Sequence, residues 1–286
     1  MIKIVNNLRK LTLALTLTPA LIFAAGSIKD DSKTSNGSLK QIKEKDKIRI
    51  GIFSDKAPFG YLDSNGTPQG FDVVIAKRLT KELLGDEKKV EFIPLESANR
   101  VEYLETNKAD IVLANFTVTP ERKERVDFAN PYMKVALGVL SPETNVVKSL
   151  DDLKGKKLIV IKGSTSETYF VKNHPEIKLL SFDHISEAFS ALKDGRGAGL
   201  SQDNTFLFAW AKQNKGFITG IESLGDLDTI APAVKKGNVE LVNWINETLV
   251  ELGKEQFVHK AYNETLKPIY GDSINIESVV VEGGKL

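Results

Sequence analysis

The sequence predicts an α/β protein of two lobes with mostly parallel sheets. Short apolar strand-like runs alternate with helical patterns along most of the chain, which is the signature of α/β units. A length of 286 residues accommodates two lobes of roughly 100–150 residues each. One plan of strand, polar turn and helix start occurs twice, at Ile111–Arg122 and again at Leu158–Glu167.

Composition narrows the function. The chain is 41% hydrophobic and 27% charged with a formal net charge of +1, an ordinary globular balance without the basic excess of nucleic-acid binders. It has no cysteine, so disulfides, thiolate-held zinc and thiol nucleophiles are excluded. His174, His184 and His259 are scattered, without metal-ligand or triad spacing. No metal, cofactor or nucleic-acid partner is therefore expected.

At the N-terminus Lys3, Arg9 and Lys10 precede an apolar run, Leu11–Ala25, that closes on small residues. This predicts a secretory signal peptide over residues 1–26, too short for a comfortable membrane span. Ala24-Ala25-Gly26-Ser27 has the form of a lipoprotein cleavage box with Ser27 at the cysteine position, so the chain as written is not lipidated there and is read as periplasmic. Residues 27–38 are polar and rich in Gly and Ser, a flexible tether.

Beyond the tether, Ser38 opens a short amphipathic helix to Asp46, and Ile48–Phe53 is a strand whose Gly51 signals a close approach. Lys56–Tyr61 is a loop and Asp63-Ser64-Asn65-Gly66 a turn. Gly70-Phe71-Asp72 opens a helix with Asp72 as N-cap, Val73, Ala76, Leu79 and Leu83 at helical spacing, and Gly85 as terminator. Val90–Ile93 is a strand, Asn99–Glu105 a helix and Asp110–Ala114 a buried strand. Ligands of such sheets collect at the carboxyl ends of the strands, where Phe53, Lys56, Asn115 and Thr117 fall. Lys134–Leu140 is the next strand. Ser149–Leu153 forms a capped turn of helix, Leu158–Ile161 a strand, Glu187–Leu192 a helix, and Ala198–Gln202 a strand ending at Asp203. Ile230–Val234 is strand-like, with Pro232 marking an edge or crossover. The final helices, Val239–Leu252 and Glu255–Leu266, need the first sheet to pack on, so the second lobe interrupts the first.

The most informative stretch is Ala109–Tyr132, A-D-I-V-L-A-N-F-T-V-T-P-E-R-K-E-R-V-D-F-A-N-P-Y. An apolar strand ends in Asn115, Phe116 and Thr117; Thr119 caps the following helix, Pro120 takes its first position and Arg122 lies on its first turn. Arginine's planar fork matches a carboxylate bidentately, and the flanking amide and hydroxyl groups orient it. A capped helix with Arg122 in a surface ion pair is the alternative. Gly163-Ser164-Thr165-Ser166 is a second candidate, because free N–H groups at a helix start attract anions; the same residues also serve as a plain cap.

T-x-T-P-E-R-K-x-x-V-D-F-x-x-P-Y resembles the signature of the polar amino-acid family of periplasmic solute-binding proteins, the receptors of ABC importers. The resemblance runs from about Ser38 to Leu286, through I-R-I-G, A-P-F-G-Y, G-F-D-V-V-I-A-K-R-L, L-D-D-L-K-G-K-K-L-I-V-I-K-G-S-T and A-L-K-D-G-R-G-A-G-L-S-Q-D-N. It is nearest to the cysteine-binding surface antigens of epsilonproteobacteria within the family, through F-S-D-K-A-P-F-G-Y, A-N-R-V-E-Y-L, P-Y-M-K-V-A-L-G-V and the E-G-G-K ending. The resemblance implies a type II periplasmic-binding-protein-like fold. Lobe 1 would be residues 39–137 plus 232–286 and lobe 2 residues 138–231, with hinge strands near Val135–Ser141 and Thr229–Val234 and a ligand cleft between the lobes. By position, Arg122 would hold the α-carboxylate, helped by Thr117 and Asn115. Thr165 and Ser164 would add donors from lobe 2, and Asp203 would accept from the α-ammonium. Phe53, Lys56, Arg100 and Phe116 complete the expected site.

Phe53 and Lys56 reverse the character of a pair that many relatives carry, and Ser97 replaces a stacking aromatic of some. A small, polar or neutral side chain therefore fits best; L-cysteine as the expected ligand follows only from the closer resemblance to the cysteine-binding antigens. Glutamine is an alternative, as are glutamate and aspartate, which Lys56 or Arg100 would serve. The implied partner is an inner-membrane ABC permease, and the receptor is expected to be a monomer without enzymatic activity. Other classes are a dehydratase-like enzyme on the same fold, which needs a tuned proton-transfer group, and a surface adhesin or antigen.

Overall fold

The computed structural model describes residues 37–285. The expected signal peptide, Ser27 and all but the last two residues of the tether lie outside the described residues.

Helix α1 (Leu39–Lys45) begins at Ser38, whose hydroxyl accepts from the Gln41 N–H, and ends at Asp46 in a left-handed conformation. The first sheet has five strands in the order β5 (Val90–Pro94), β1 (Ile48–Ile52), β6 (Ile111–Val112), β13 (Ala233–Lys235) and β7 (Val126–Phe128). β1 pairs parallel with β5 and β6, while β13 returns antiparallel between β6 and β7. The second sheet is ordered β10 (Lys178–Phe182), β9 (Lys157–Ile161), β11 (Gly199–Asp203), β8 (Met133–Pro142) and β12 (Phe217–Ile230). Its first three strands are parallel, and β8 is antiparallel to β11 and β12. Each sheet is thus a parallel α/β unit closed by antiparallel strands, and the chain passes between them twice, after β7 and after β12.

Several local readings change. Lys56–Tyr61 is not an open loop: β2 (Asp55–Lys56), β3 (Gly60–Leu62) and β4 (Pro68–Gln69) form a small antiparallel sheet. Helix α2 (Phe71–Leu84) is N-capped by Gly70, not by Asp72, which lies inside the first turn and is fully buried. The expected strand Asp110–Ala114 shortens to β6, because Asn115 takes a positive φ of 45° and turns the backbone. Val135–Ser141, expected near a hinge, lies within β8, whose start at Met133–Val135 pairs with Asp228–Ile230 at the end of β12.

The remaining helices are α3 (Arg100–Glu105), α4 (Pro120–Arg125), α5 (Thr165–Asn173), α6 (Ile185–Lys193), α7 (Asn204–Gln213), α8 (Val239–Gly253), α9 (Phe257–Thr265) and α10 (Lys267–Tyr270). α7 and β12 have no counterpart in the sequence reading. α7 is apolar on several faces, and β12 is broken by three register shifts against β8, so neither shows a clean period. α8 and α9 pack on α2, and α8 also on β7 and β13, so both helices return to the first sheet as expected.

Leu241, Ile245, Leu249 and Leu252 of α8 and Ala76 and Leu79 of α2 join the β1 and β6 residues in one apolar core, which continues through Met133 and Val135 to Ile159 and Leu200 of the second sheet. Pro232 marks the crossover into β13. Among the described residues no helix is long and apolar enough to cross a membrane.

The close approach signalled by Gly51 comes from the side chains of Leu95, just past β5, and Val112 of β6. A Cβ there would lie 2.5 Å from Leu95 Cδ2 and 3.2 Å from Val112 Cγ2. Gly51→Ala is expected to overpack this layer and cost about 1–3 kcal/mol of stability. The check is a lower urea midpoint at unchanged slope; an unchanged midpoint would show that Leu95 yields freely.

Candidate ligand site between the two sheets

The site is built around the turn that follows β6. Asn115 is one of the few non-glycine residue types that tolerate the left-handed region, and three contacts hold it there. Its N–H donates to the Asp72 carboxylate at 2.8 Å, its carbonyl accepts from Arg100 at 3.2 Å, and its side-chain amide donates to Asp203 at 2.6 Å. Phe116 follows, with the Arg100 and Arg122 guanidinium carbons 4.4 Å and 4.8 Å from its ring centroid, a cation–π arrangement. Thr117 is buried, and its carbonyl accepts from Arg122 at 2.7 Å. Thr119 caps α4 and Pro120 opens it as expected, which fixes Arg122 on the first turn.

From the second sheet, Asp203 ends β11, 2% exposed. One of its oxygens, Oδ2, accepts from Lys56 at 3.1 Å and from Asn115. The other oxygen, Oδ1, and the side-chain oxygen of Asn115 are buried with no hydrogen-bond partner in the protein. Buried acceptors are normally satisfied, so two unpaired oxygens on adjoining side chains call for a donor. The Gly163 carbonyl, at the start of α5, accepts from both Arg100 (3.2 Å) and Arg122 (3.0 Å). Gly163 itself has φ +71°, and a Cβ there would lie 2.5 Å from Ala98 Cα. The Ser164 hydroxyl accepts from the Glu167 N–H as a helix cap, so the plain-cap role holds for that group. Thr165 is half-buried and lines a groove of ≈ 250 Å³ with Thr119, Arg122, Leu137, Gly163 and Asp228.

Lys56 and Arg100 are committed. The Lys56 ammonium pairs with Asp203 and lies 5.3 Å and 5.0 Å from the Phe53 and Phe206 ring centroids. Arg100 donates to the carbonyls of Ser97, Ala114, Asn115 and Gly163. Burial lowers the Lys56 pKa against the pull of Asp203, and burial followed by the nearby Arg122 holds Arg100 well below its usual range. Arg122 is lowered to about 10 by burial, opposed by Asp203 and Asp228. Burial raises Asp72 to about 6 in spite of its bonds from Tyr132 and Asn115.

Phe53, Lys56, Arg100, Asn115, Phe116, Thr117, Arg122 and Asp203 thus form one connected cluster, with Ser164 and Thr165 reached through Gly163. Sequence reasoning missed Asp72 as a member, and also Phe206, Tyr132, Asp228 and the Gly163 carbonyl. Tyr132 lay in the quoted motif without a role and Asp72 in G-F-D was read as a helix cap; Phe206 belongs to the helix that was not foreseen. Among the described residues no group of His, Asp and Glu is placed to hold a metal ion.

The model of the bacterial extracellular solute-binding proteins, family 3, matches residues 48–267. The crystal structure of the solute receptor for L-cysteine of Neisseria gonorrhoeae is 53% identical, with a TM-score of 0.85, over 86% of this chain and 100% of that one. The cysteine-binding protein of Campylobacter jejuni is 54% identical, with a TM-score of 0.84, over 85% and 98% of the two chains. The glutamine-binding protein of an ABC transporter of Bacillus subtilis is 35% identical over 253 residues, 86% of this chain and 92% of its own. With the two-sheet fold and the cluster between the sheets, these matches establish that the chain belongs to the bacterial extracellular solute-binding proteins, family 3.

Proposed function

We propose that this protein is a periplasmic amino-acid receptor, with L-cysteine as its ligand, that delivers the ligand to an ABC-type import permease. The observation that carries this reading is the pair of buried, unpartnered oxygens on Asp203 and Asn115, with the Arg122 guanidinium nearby. Two acceptors suit an α-ammonium, and a guanidinium fork suits an α-carboxylate. A free amino acid supplies both charges on adjoining atoms. Thr117 and the α5 start at Ser164 and Thr165 would orient the carboxylate.

The side chain is constrained by what the other cations already hold. With Lys56 on Asp203 and Arg100 on four carbonyls, neither is left to neutralise a second carboxylate, which disfavours glutamate and aspartate. Phe53, Phe116 and Phe206 pack against the cations Lys56, Arg100 and Arg122 and make their surroundings apolar, and a thiol behaves as a small hydrophobe. The cysteine receptors among the solved relatives support the same choice; glutamine, bound by the Bacillus relative, is the runner-up. A dehydratase-like activity is disfavoured because Asp203 already serves Lys56 and Asn115.

In this reading the lobes, residues 39–137 plus 232–286 and 138–231, close on the ligand as monomers. The closing contacts are Lys56 and Asn115 with Asp203, and Arg100 and Arg122 with the Gly163 carbonyl. A ligand that bridges Arg122 and Asp203 favours the closed population, because the open one lacks half of its contacts.

Thermal unfolding of ligand-stripped protein against the twenty amino acids and cystine, with reductant for cysteine, is expected to single out L-cysteine. At a hundredfold excess over Kd it adds about 2.7 kcal/mol, a shift of a few degrees. No shift with any amino acid would overturn the receptor reading; a larger shift with another would replace cysteine alone. By calorimetry, Arg122→Ala is expected to lose roughly 3–5 kcal/mol of affinity, because it leaves a buried carboxylate unpaired. Binding at wild-type strength would remove Arg122 from the carboxylate.

A further inference from the structure

Asp72, in the first turn of α2, is a second buried carboxylate of the cluster. It is 0% exposed. One oxygen accepts from the Asn115 N–H at 2.8 Å and the other from the Tyr132 hydroxyl at 2.7 Å. These partners sit at functional junctions. Asn115 carries the side chain that reaches Asp203, and Tyr132 stands where the chain leaves the first sheet for β8, its N–H on the Ile230 carbonyl of the second crossing. The Tyr132 carbonyl in turn accepts from the Val281 N–H of the C-terminal segment. One carboxylate therefore ties the ligand turn to the crossing strands.

We propose that Asp72 is a positioning residue for ligand binding: its ionised carboxylate holds Asn115 in the turn that aims its amide at Asp203, so amino-acid affinity falls when Asp72 takes up a proton. The inference rests on the receptor reading above. An ionised carboxylate accepts from both neighbours at once. The neutral acid donates through the oxygen that faces Tyr132, which reverses that bond, and the oxygen that faces the Asn115 N–H then accepts without the charge that strengthens the bond. Its lost charge also leaves Lys56 and Arg100 less compensated. The groups that act on Asp72 are Tyr132 before β8, the Asn115 N–H after β6, Lys56 of β2 and Arg100 of α3. No charge on α8 or α9, which pack on α2, is among them.

Burial lifts the Asp72 pKa from the ordinary 3.8 to about 6, which sets the pH window and the sign. Between these values the folded chain binds a proton that the unfolded chain does not. Stability therefore falls as pH rises toward 6, and the penalty persists above it. A group that costs stability while it orients a ligand contact differs from a purely structural one, whose removal lowers stability and affinity together.

The test is calorimetric titration of wild type and Asp72→Asn with L-cysteine under reductant at pH 7.5 and pH 5, with the melting temperature of each. We expect the variant to bind about tenfold more weakly at pH 7.5, the ratio shrinking to about twofold at pH 5, where wild-type Asp72 is mostly protonated. Its melting temperature at pH 7.5 should equal or exceed that of wild type. A ratio that does not change with pH, or a variant that loses stability and affinity in parallel, overturns the proposal. Should the variant not fold, the wild type alone decides: about fivefold weaker binding at pH 5 than at pH 7.5 is expected, and no change overturns it. Failure of the wild type to bind L-cysteine at pH 7.5 strikes the functional reading instead, and the ratio is then read with whichever amino acid stabilises the protein.

Discussion

The Asp203 carboxylate ends a strand of the second sheet yet takes its hydrogen bonds from the first lobe's side, from Lys56 and Asn115. A buried ion pair recovers little net stability, since desolvating both charges offsets their attraction, and each partner depends on the other's geometry. The neighbouring structure follows from this constraint. Lys56 is held between Phe53 and Phe206, Asn115 is fixed in a left-handed turn, and Arg100 stitches the backbone around that turn to Gly163 of the opposite side. What the pair leaves over, one oxygen on each of Asp203 and Asn115, is the feature from which a ligand's ammonium is inferred.

Selectivity has the same origin. Arg100 and Lys56 look from sequence like spare cations that would welcome an acidic side chain. In the structure each is spent on protein acceptors, and burial lowers the pKa of both. Only Arg122, half-buried at the groove, keeps partners that a ligand carboxylate would supplement. One guanidinium whose protein partners are carbonyls, not a carboxylate, and one incompletely satisfied carboxylate match a zwitterion with an uncharged side chain. The dependence of the turn on a second buried carboxylate, Asp72, extends the logic inward: polar groups that cost stability are kept where they orient the contact.

What the sequence reveals of this arrangement depends on the range of the interactions. Thr119, Pro120 and Arg122 were readable because a cap, a first-turn proline and a first-turn side chain are local and carry strong residue preferences. Asp203 was readable as the residue at the end of its strand, and its role was implied by the family resemblance. Asp72 was misread as a cap because its position in G-F-D fits one, whereas its partners lie 43 and 60 residues away. β12 escaped because its register shifts break the alternation of a strand, and α7 because apolar residues on several faces blur a helical period. Family resemblance supplied the two-lobe plan, which periodicity alone left as two similar α/β units.

In the proposed receptor, Asp203 and Asn115 receive the ligand's ammonium across the cleft. The most direct measurement compares, by calorimetry on ligand-stripped protein, L-cysteine with 3-mercaptopropionate, which keeps the carboxylate and thiol but lacks the ammonium. The account predicts one tight site for L-cysteine and binding at least about a hundredfold weaker for the desamino compound, because a buried carboxylate is left short of a donor. Equal affinity for the two would contradict it.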